Sequence, residues 1–210
     1  MSELVVRTAT GVIMAVVALF AAFQGGYALA VLAAAAATAV FYEWTRLTKG
    51  WGAAWYLGGF IYALFAALSL LWVRDRAEDG LSLLLWIFII VWATDIGAYI
   101  TGRSIGGPKL APAISPGKTW AGFYGGVAAA TLFGGAWVLT TGLHWPVLLL
   151  APLFSVASQG GDLFESWMKR RAGVKDSGRL LPGHGGVFDR LDGLLPVAIL
   201  TALAVVAGMA

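Results

Sequence analysis

The sequence predicts an all-α, polytopic integral membrane protein with seven transmembrane helices. Of its 210 residues, 60% are hydrophobic and only 12% are charged, whereas a soluble domain is typically about 45–50% apolar and about 25% charged. So high a hydrophobic fraction excludes an intrinsically disordered chain, and so few charged residues leave a water-soluble globule without a polar surface. Uncharged stretches of about 20 residues alternate with short polar segments, as in a chain that crosses a bilayer repeatedly.

Glycine, proline or charged residues separate the predicted spans. The spans cover residues 8–23, 27–42, 52–73, 81–101, 119–141, 147–164 and 194–210. The first two are short enough that one of them can be tilted or re-entrant. A Gly/Pro-rich loop at 102–118 follows the fourth span, and the most polar segment, 165–193, follows the sixth. We therefore expect an N-terminal transmembrane region, 1–90, and a second region, 91–210, that carries both loops.

The basic residues indicate how the chain lies in the membrane. With a cytoplasmic N-terminus, seven spans place every Lys and Arg except Arg74 and Arg76 on the cytoplasmic side, as the positive-inside rule requires. The net charge of +3 then reflects topology, and we expect no nucleic-acid partner. The run ending at Ala28–Ala30 also resembles a secretory signal peptide, but cleavage there would spoil this alternation.

Two acidic residues within the predicted spans are candidates for function, because charge is expensive in a bilayer. Asp95 lies in the fourth span, where it is either functional or a structural carboxylate capped by Arg103. Asp162 follows two glycines in the sixth span and shares a helical face with Glu165, Ser166 and Lys169. A solvated Glu165–Lys169 pair is the alternative for that face, but it does not account for Asp162.

The segment 175–192 combines a glycine-rich loop with three further acids, Asp176, Asp189 and Asp192. Gly185 and Gly186, beside His184, can present backbone N–H groups to a phosphate, although this pattern is weak on its own. If the last span begins here, Asp189 and Asp192 project together from its first turn. Carboxylates without cysteine suit a hard cation such as Mg²⁺ or Mn²⁺. The alternatives are a helix cap for Asp189 and a helix-dipole contact for Asp192.

The loop at 102–118 ends in Ser115-Pro-Gly-Lys118-Thr119. It lacks the spacing of a P-loop, but Lys118 and Thr119 can bind phosphate at the start of the fifth span. An ordinary basic cytoplasmic loop is the alternative. With the acids described above, the loop predicts a cytoplasmic-face cavity for phosphoryl or nucleotidyl transfer to a membrane-resident substrate.

Residues 166–192, SWMKRRAGVKDSGRLLPGHGGVFDRLD, resemble the signature of the phosphatidate cytidylyltransferase (CDP-diacylglycerol synthase) family. A second block, from Asp95 to Thr119, is also similar to that family. The resemblance is strong over 92–196. It is loose in the N-terminal third, where it depends on Arg7 and Glu43-Trp44 and where we expect spans of other members to be missing.

This resemblance implies a catalytic transmembrane region at 91–210 and transfer of a cytidylyl group from CTP to phosphatidic acid. The products are CDP-diacylglycerol, for phospholipid biosynthesis, and pyrophosphate. The implied catalytic residues are Asp162, Lys175, Asp176, His184, Asp189 and Asp192. Among these, Asp162, Asp189 and Asp192 would hold Mg²⁺ or Mn²⁺, with room for a second cation. The implied substrate-binding residues are Asp95, Arg103, Lys109, Ser115, Lys118, Thr119, Ser166, Lys169, Arg170, Gly185, Gly186 and Arg190.

The resemblance also implies a homodimer in the bacterial inner membrane, with its active site on the cytoplasmic face. Three alternatives stand beside it. A polyprenol or phytol kinase would use a hydroxyl acceptor and release CDP, which the 166–192 motif argues against. A transporter would place its acids near the bilayer midplane, usually with an inverted repeat. An inactive paralogue is disfavoured because the acids Asp162, Asp176, Asp189 and Asp192 are all present.

Overall fold

The structure, a computed structural model, describes residues 3–181 and 183–210. Its elements in chain order are α1 (Glu3–Gln24), α2 (Gly26–Leu47), α3 (Ala53–Arg74), α4 (Gly80–Ser104), β1 (Lys109–Ala111), β2 (Ser115–Thr119), α5 (Trp120–Thr141), α6 (Pro146–Arg171), α7 (Phe188–Leu191) and α8 (Leu194–Val206). Of the residues that carry the family resemblance, Pro182 and the side chain of Arg7 lie outside the described part.

Within residues 3–181 and 183–210, five helices, α2 to α6, are long and apolar enough to cross a membrane. Large apolar side chains such as Phe20 and Phe65 are more than half exposed on the outside of the bundle, as lipid-facing residues are. These observations confirm the predicted all-α membrane protein. The count of seven stays a prediction, because α8 has 13 residues and reaches only about 20 Å at 1.5 Å per residue.

The structure corrects the predicted ends of the spans next to the two polar loops. Helix α4 continues to Ser104 and α6 to Arg171, because a helix keeps its backbone hydrogen bonds after its side chains become polar. The segment 102–118 is therefore not simply a loop. It contains the end of α4 and an antiparallel hairpin, in which Lys109 pairs with Thr119 and Ala111 with Ser115.

Glycines allow α4 and α5 to pack with their backbones close together. A Cβ atom on Gly97 would lie 2.5 Å from the Cβ of Ala129 and 2.8 Å from the carbonyl oxygen of Gly125. Thr119 caps α5 by accepting a hydrogen bond of 3.1 Å from the Gly122 N–H. This packing places the start of α5, where Lys118 and Thr119 lie, beside the polar half of α4.

An apolar cluster around Trp44 joins α2 to the C-terminal half of the chain. Buried Trp44 packs with Ala63 of α3, Met168 of α6 and Phe188 of α7, and its indole N–H donates to the carbonyl of Trp55 at 2.8 Å. The cluster therefore holds the end of α2 against the segment that contains the predicted glycine-rich loop.

Candidate active site

Two groups of acidic side chains lie around the polar end of α6. One group faces a cavity between α4, β2, α5 and α6, which we call the open pocket. The other is buried between α2, α6 and the 177–189 segment, and we call it the closed centre. Each group includes one lysine in contact with an aspartate, Lys118 with Asp162 and Lys169 with Asp189.

The open pocket has a volume of about 540 Å³. Its lining consists of Asp95, Ala98, Tyr99, Gly102, Arg103, Leu110, Gly117, Lys118, Thr119, Gly122, Phe123, Gln159 and Asp162. Lys118 Nζ lies 2.6 Å from Asp162 Oδ2, and these side chains are 23% and 36% exposed. Ser166 Oγ donates to Asp162 Oδ1 at 3.3 Å. Solvent therefore reaches the Lys118–Asp162 pair, which leaves both groups able to exchange partners with a bound ligand.

Asp192 brings a third carboxylate toward this pocket. Burial raises its pKa well above the ordinary value, and the nearby carboxylates of Asp162 and Asp95 raise it further. The Gly193 N–H, which donates to Asp192 Oδ1 at 2.8 Å, and the charge of Lys118 act in the opposite direction. Carboxylate oxygens are the ligand type that a hard divalent cation prefers, and such an ion would relieve this repulsion.

The closed centre is built around the carboxylate of Asp189, whose side chain is 7% exposed. Lys169 Nζ lies 2.6 Å from Oδ1. Oδ2 accepts from the N–H groups of Ser177 and Gly186 at 3.0 and 2.8 Å. Burial opposes ionisation here, but hydrogen bonds with Glu165, Lys169 and Gly186 outweigh it, so that the pKa of Asp189 is lowered to about 2. The centre therefore stabilises a charged, fully partnered carboxylate.

Helix α6 contributes side chains from neighbouring turns to both the open pocket and the closed centre. Asp162 and Ser166 contact each other, and Lys169 Nζ contacts the carboxyl group of Glu165 one turn earlier. The predicted helical face is thus confirmed, and so is the predicted Glu165–Lys169 pair. The pair is buried, however, and not the solvated helix end that was the alternative.

The predicted arrangement of Asp189 and Asp192 is wrong. They do not share the first turn of the last span, because α7 is a separate short helix, Asp192 lies just after it, and α8 begins only at Leu194. Asp189 consequently lies in the closed centre, while Asp192 lies toward the open pocket.

Within 3–181 and 183–210, no three acidic or histidine side chains form a metal-binding group. The assignment of Asp162, Asp189 and Asp192 as metal ligands stays a prediction.

The glycine-rich loop directs backbone N–H groups at carboxylates. The N–H of Gly186 donates to Asp189, and those of Val187 and Phe188 donate to Glu43 at 3.1 and 2.8 Å. Gly185 adopts a φ of 82°, which favours glycine. A phosphate-binding role for Gly185 and Gly186 stays a prediction, and the Gly186 N–H would have to leave Asp189 to take it up.

Three of the predicted arginines donate hydrogen bonds in or next to the two polar loops. Arg170 donates to the Ile114 carbonyl at 3.2 Å, which ties the hairpin to α6, and Arg190 donates to the carbonyl of His184. Arg103 donates to the Tyr99 hydroxyl at 3.0 Å on the wall of the open pocket. The remaining predicted residues are the exposed Lys109, Lys175 and Asp176, the partly buried His184, Ser115 in the hairpin, and the buried cap Thr119.

Gln159 and Glu43 belong to the site, but the sequence analysis does not predict them as site residues. Gln159 lines the open pocket and donates to the Phe123 carbonyl at 3.3 Å. Glu43 is fully buried in the closed centre. Glu43 could have been predicted from the sequence, because a carboxylate at the end of an apolar run is costly in a bilayer for the same reason as Asp95. Gln159 carries no charge and offered no comparable signal.

Comparison with known proteins agrees with the resemblance drawn from the motifs. The model of the Cytidylyltransferase family matches residues 49–207. The chain is 39% identical to the phosphatidate cytidylyltransferase of Brucella suis biovar 1 (strain 1330), over 97% of this chain and 93% of that protein. It is 44% identical to the phosphatidate cytidylyltransferase of Staphylococcus epidermidis (strain ATCC 12228 / FDA PCI 1200), over 62% of this chain and 52% of that protein. A family model that matches most of the chain, together with a relative of this similarity along nearly its whole length, shows that the chain belongs to the cytidylyltransferase family.

Proposed function

We propose that this protein is an integral membrane enzyme that transfers the cytidylyl group of CTP to phosphatidic acid. The products are CDP-diacylglycerol, used in phospholipid biosynthesis, and pyrophosphate. The observation that carries the proposal is the 39% identity to a phosphatidate cytidylyltransferase over 97% of the chain. The open pocket supports it, because a solvent-accessible pocket with both lysine and carboxylates suits a nucleotide, a metal ion and a lipid phosphate.

In the proposed reaction, a phosphate oxygen of phosphatidic acid attacks the α-phosphorus of CTP. A new phosphorus–oxygen bond forms as the bond from the α-phosphorus to the bridging oxygen of the β-phosphate breaks, and pyrophosphate leaves with that electron pair. The attacking phosphate needs no general base, since its second pKa is about 6 and it is mostly dianionic at neutral pH. The protein must therefore bind, orient and neutralise two polyanions.

Lys118 is the residue best placed to bind phosphate in the open pocket. Its ammonium group contacts Oδ2 of the partly exposed Asp162 carboxylate, so an incoming phosphate can take over that contact. Arg103 and Thr119 line the same pocket. We expect the remaining predicted substrate-binding residues to act around this pocket, where the hairpin meets the end of α6.

Asp162 and Asp192, beside Asp95, are the residues that we propose hold Mg²⁺ or Mn²⁺. Their oxygen ligands and mutual repulsion fit such an ion. When bound, the metal neutralises charge on the attacking phosphate and on the leaving pyrophosphate. For Asp189 to bind the ion as well, its Oδ1 would have to leave Lys169 Nζ and contact the ion instead. A second cation is part of the same proposal.

The acyl chains of the lipid require an apolar path. A second cavity of about 440 Å³ lies on the other face of α6, where its lining includes Trp55, Tyr62 and Phe164. Gly161 lines this apolar cavity, while the next residue, Asp162, lines the open pocket. We propose that phosphatidic acid keeps its chains on the apolar side of α6 and in the bilayer while its phosphate reaches the open pocket.

We further propose a homodimer in a bacterial inner membrane, with the open pocket on the cytoplasmic face. The charge alternation of the loops supports this orientation, and the similarity to bacterial enzymes supports the assignment to a bacterial inner membrane. Because the chain has no cysteine, single cysteines introduced at Lys109 and Glu78 can be labelled from either side of the membrane to test the orientation. The mass of the detergent-solubilised protein tests the dimer.

The experiment that tests the function uses the full-length protein, purified in detergent, with CTP, phosphatidic acid and Mg²⁺. We expect CDP-diacylglycerol and pyrophosphate in equal amounts, and loss of both when EDTA removes the metal. Diacylglycerol, polyprenol and phytol serve as hydroxyl acceptors in parallel reactions. Formation of CDP from one of them, with no CDP-diacylglycerol from phosphatidic acid, would identify a kinase and overturn the proposal.

A further inference from the structure

Glu43 is a buried acid from α2 that lies in the closed centre, outside the part of the chain matched by the family model, 49–207. Its carboxylate accepts from the Phe188 N–H at 2.8 Å through Oε2 and from the Val187 N–H at 3.1 Å through Oε1. These N–H groups belong to the first turn of α7, which has no capping side chain of its own. Glu43 thus supplies, from another helix, the acceptors that the start of α7 lacks.

The Ser177 hydroxyl connects Glu43 to Asp189. Ser177 Oγ lies 2.9 Å from Glu43 Oε2 and 3.0 Å from Asp189 Oδ2, so the two carboxylates share one hydroxyl group. The N–H of Ser177 donates to the same Asp189 oxygen. Any shift of Glu43 therefore reaches Asp189 through Ser177 as well as through α7.

Two glycines make this close approach possible. A Cβ atom on Gly178 would overlap Oε1 of Glu43, and one on Gly186 would lie 2.5 Å from Oε2 of Glu43 and overlap Ser177 Oγ. Neither glycine has a positive φ, so the requirement at these positions is for space and not for an unusual backbone conformation. The 177–188 segment is thus shaped around the Glu43 carboxylate.

We propose that Glu43 is a positioning residue of the active site. It holds the 177–188 segment and the start of α7, and through them it sets the positions of Asp189 in the closed centre and of Asp192 at the open pocket. This inference rests on the proposed function, since it concerns how that site is assembled. It makes the N-terminal region, 1–90, part of the active site and not only its membrane support.

The test compares Glu43→Gln with Ser177→Ala and with Thr48→Val, a matched control. Thr48 is also fully buried near the end of α2, but its hydroxyl donates at 2.8 Å to the Trp44 carbonyl of its own helix. Glutamine keeps the size of Glu43 but turns an amide N–H₂ toward the backbone N–H donors. We expect Glu43→Gln to lower kcat and raise the Mg²⁺ concentration for half-maximal activity, each about 10-fold to 100-fold.

The Ser177→Ala and Glu43→Gln effects should be less than additive in the double variant, because both act through one contact. Thr48→Val should retain the wild-type Mg²⁺ requirement. A Glu43→Gln protein with the wild-type kcat and Mg²⁺ requirement would overturn the inference. Should Glu43→Gln fail to fold, Ser177→Ala alone decides, since an unchanged Mg²⁺ requirement in that variant would contradict the connection to Asp189.

Amide hydrogen exchange gives a readout that does not depend on activity. In Glu43→Gln, we expect faster exchange confined to 177–189, with exchange in α3 and α4 unchanged. A uniform rise along the chain would show a general loss of stability and would overturn the positioning role. If the wild-type protein makes no CDP-diacylglycerol, the proposed function fails, while local acceleration of exchange would still support the contact of Glu43 with this segment.

Discussion

The open pocket and the closed centre use the same pair of residue types in opposite ways. In the open pocket, Asp162 and Lys118 are 36% and 23% exposed, whereas in the closed centre Asp189 and Lys169 are 7% and 12% exposed. Both oxygens of Asp189 are taken by the protein. Exposure leaves the first pair free to exchange partners with a ligand, and burial makes the second pair part of the structure.

The two regions also shift the pKa of an aspartate in opposite directions. Hydrogen bonds lower the pKa of Asp189 despite its burial, while burial and neighbouring carboxylates raise the pKa of Asp192. The charge on Asp189 therefore stabilises the fold, and the charge on Asp192 costs stability. The protein tolerates such a cost most readily where the charge serves a function.

The largest effect on activity is expected in the open pocket. Asp162→Asn removes a proposed metal ligand that supplies several kcal/mol of transition-state stabilisation, and cytidylyl transfer should fall by about 100-fold or more. Because Asp162 is partly exposed, thermal stability should hardly change. The rate of CDP-diacylglycerol formation and the melting temperature in detergent are measured together. Asp75→Asn, in the turn after α3, is the control, and an active Asp162→Asn protein would contradict this role.

The largest effect on stability is expected in the closed centre. Asp189→Asn removes one partner of a buried ion pair and should lower the free energy of unfolding by about 3 kcal/mol. Denaturation in detergent measures this loss. If Asp189→Asn is as stable as the wild type, the closed centre is not the structural element described above.

Asp189→Asn also tests how the free energy of unfolding depends on pH. Since the pKa of folded Asp189 is about 2 and an unfolded aspartate has a pKa of about 4, its contribution is complete above about pH 4 and is lost as the pH falls toward 2. The stability difference between the wild type and Asp189→Asn should shrink across this interval. A difference that stays constant down to pH 3 would contradict the lowered pKa.

The smallest effect, and one of opposite sign, is expected for Asp192→Asn. A carboxylate with a raised pKa destabilises the fold as the pH rises above the unfolded pKa, so its neutral analogue should raise the free energy of unfolding at pH 7. The asparagine carbonyl can still accept from the Gly193 N–H. Activity should nevertheless fall at least about 10-fold. A variant that is less stable than the wild type at pH 7 would show that the two regions do not differ as described.

Much of the site could be predicted from local spacing. The face shared by Asp162, Glu165, Ser166 and Lys169 follows from helical periodicity alone, and the structure confirms it. The arrangement of Asp189 and Asp192 could not be predicted in the same way. Their spacing is that of one helical turn, but Asp189 contacts Lys169 and the N–H groups of Ser177 and Gly186, whereas Asp192 lies near Asp162 and Asp95.

Glu43 shows the same limit at a greater distance along the chain. It is separated from its partners Ser177, Val187 and Phe188 by more than 130 residues. No local pattern relates α2 to the glycine-rich loop. Their contact arises from the packing of α2 against α6 and α7 around Trp44.

The sequence by itself determined the membrane class, the helical architecture, the positions of the polar loops and the family, because composition, hydropathy and motif spacing are properties of neighbouring residues. Only the tertiary structure decided which acids face a ligand and which stabilise the fold. That division depends on burial and on hydrogen-bond donors from distant segments, and identical aspartate side chains acquire their roles from those surroundings.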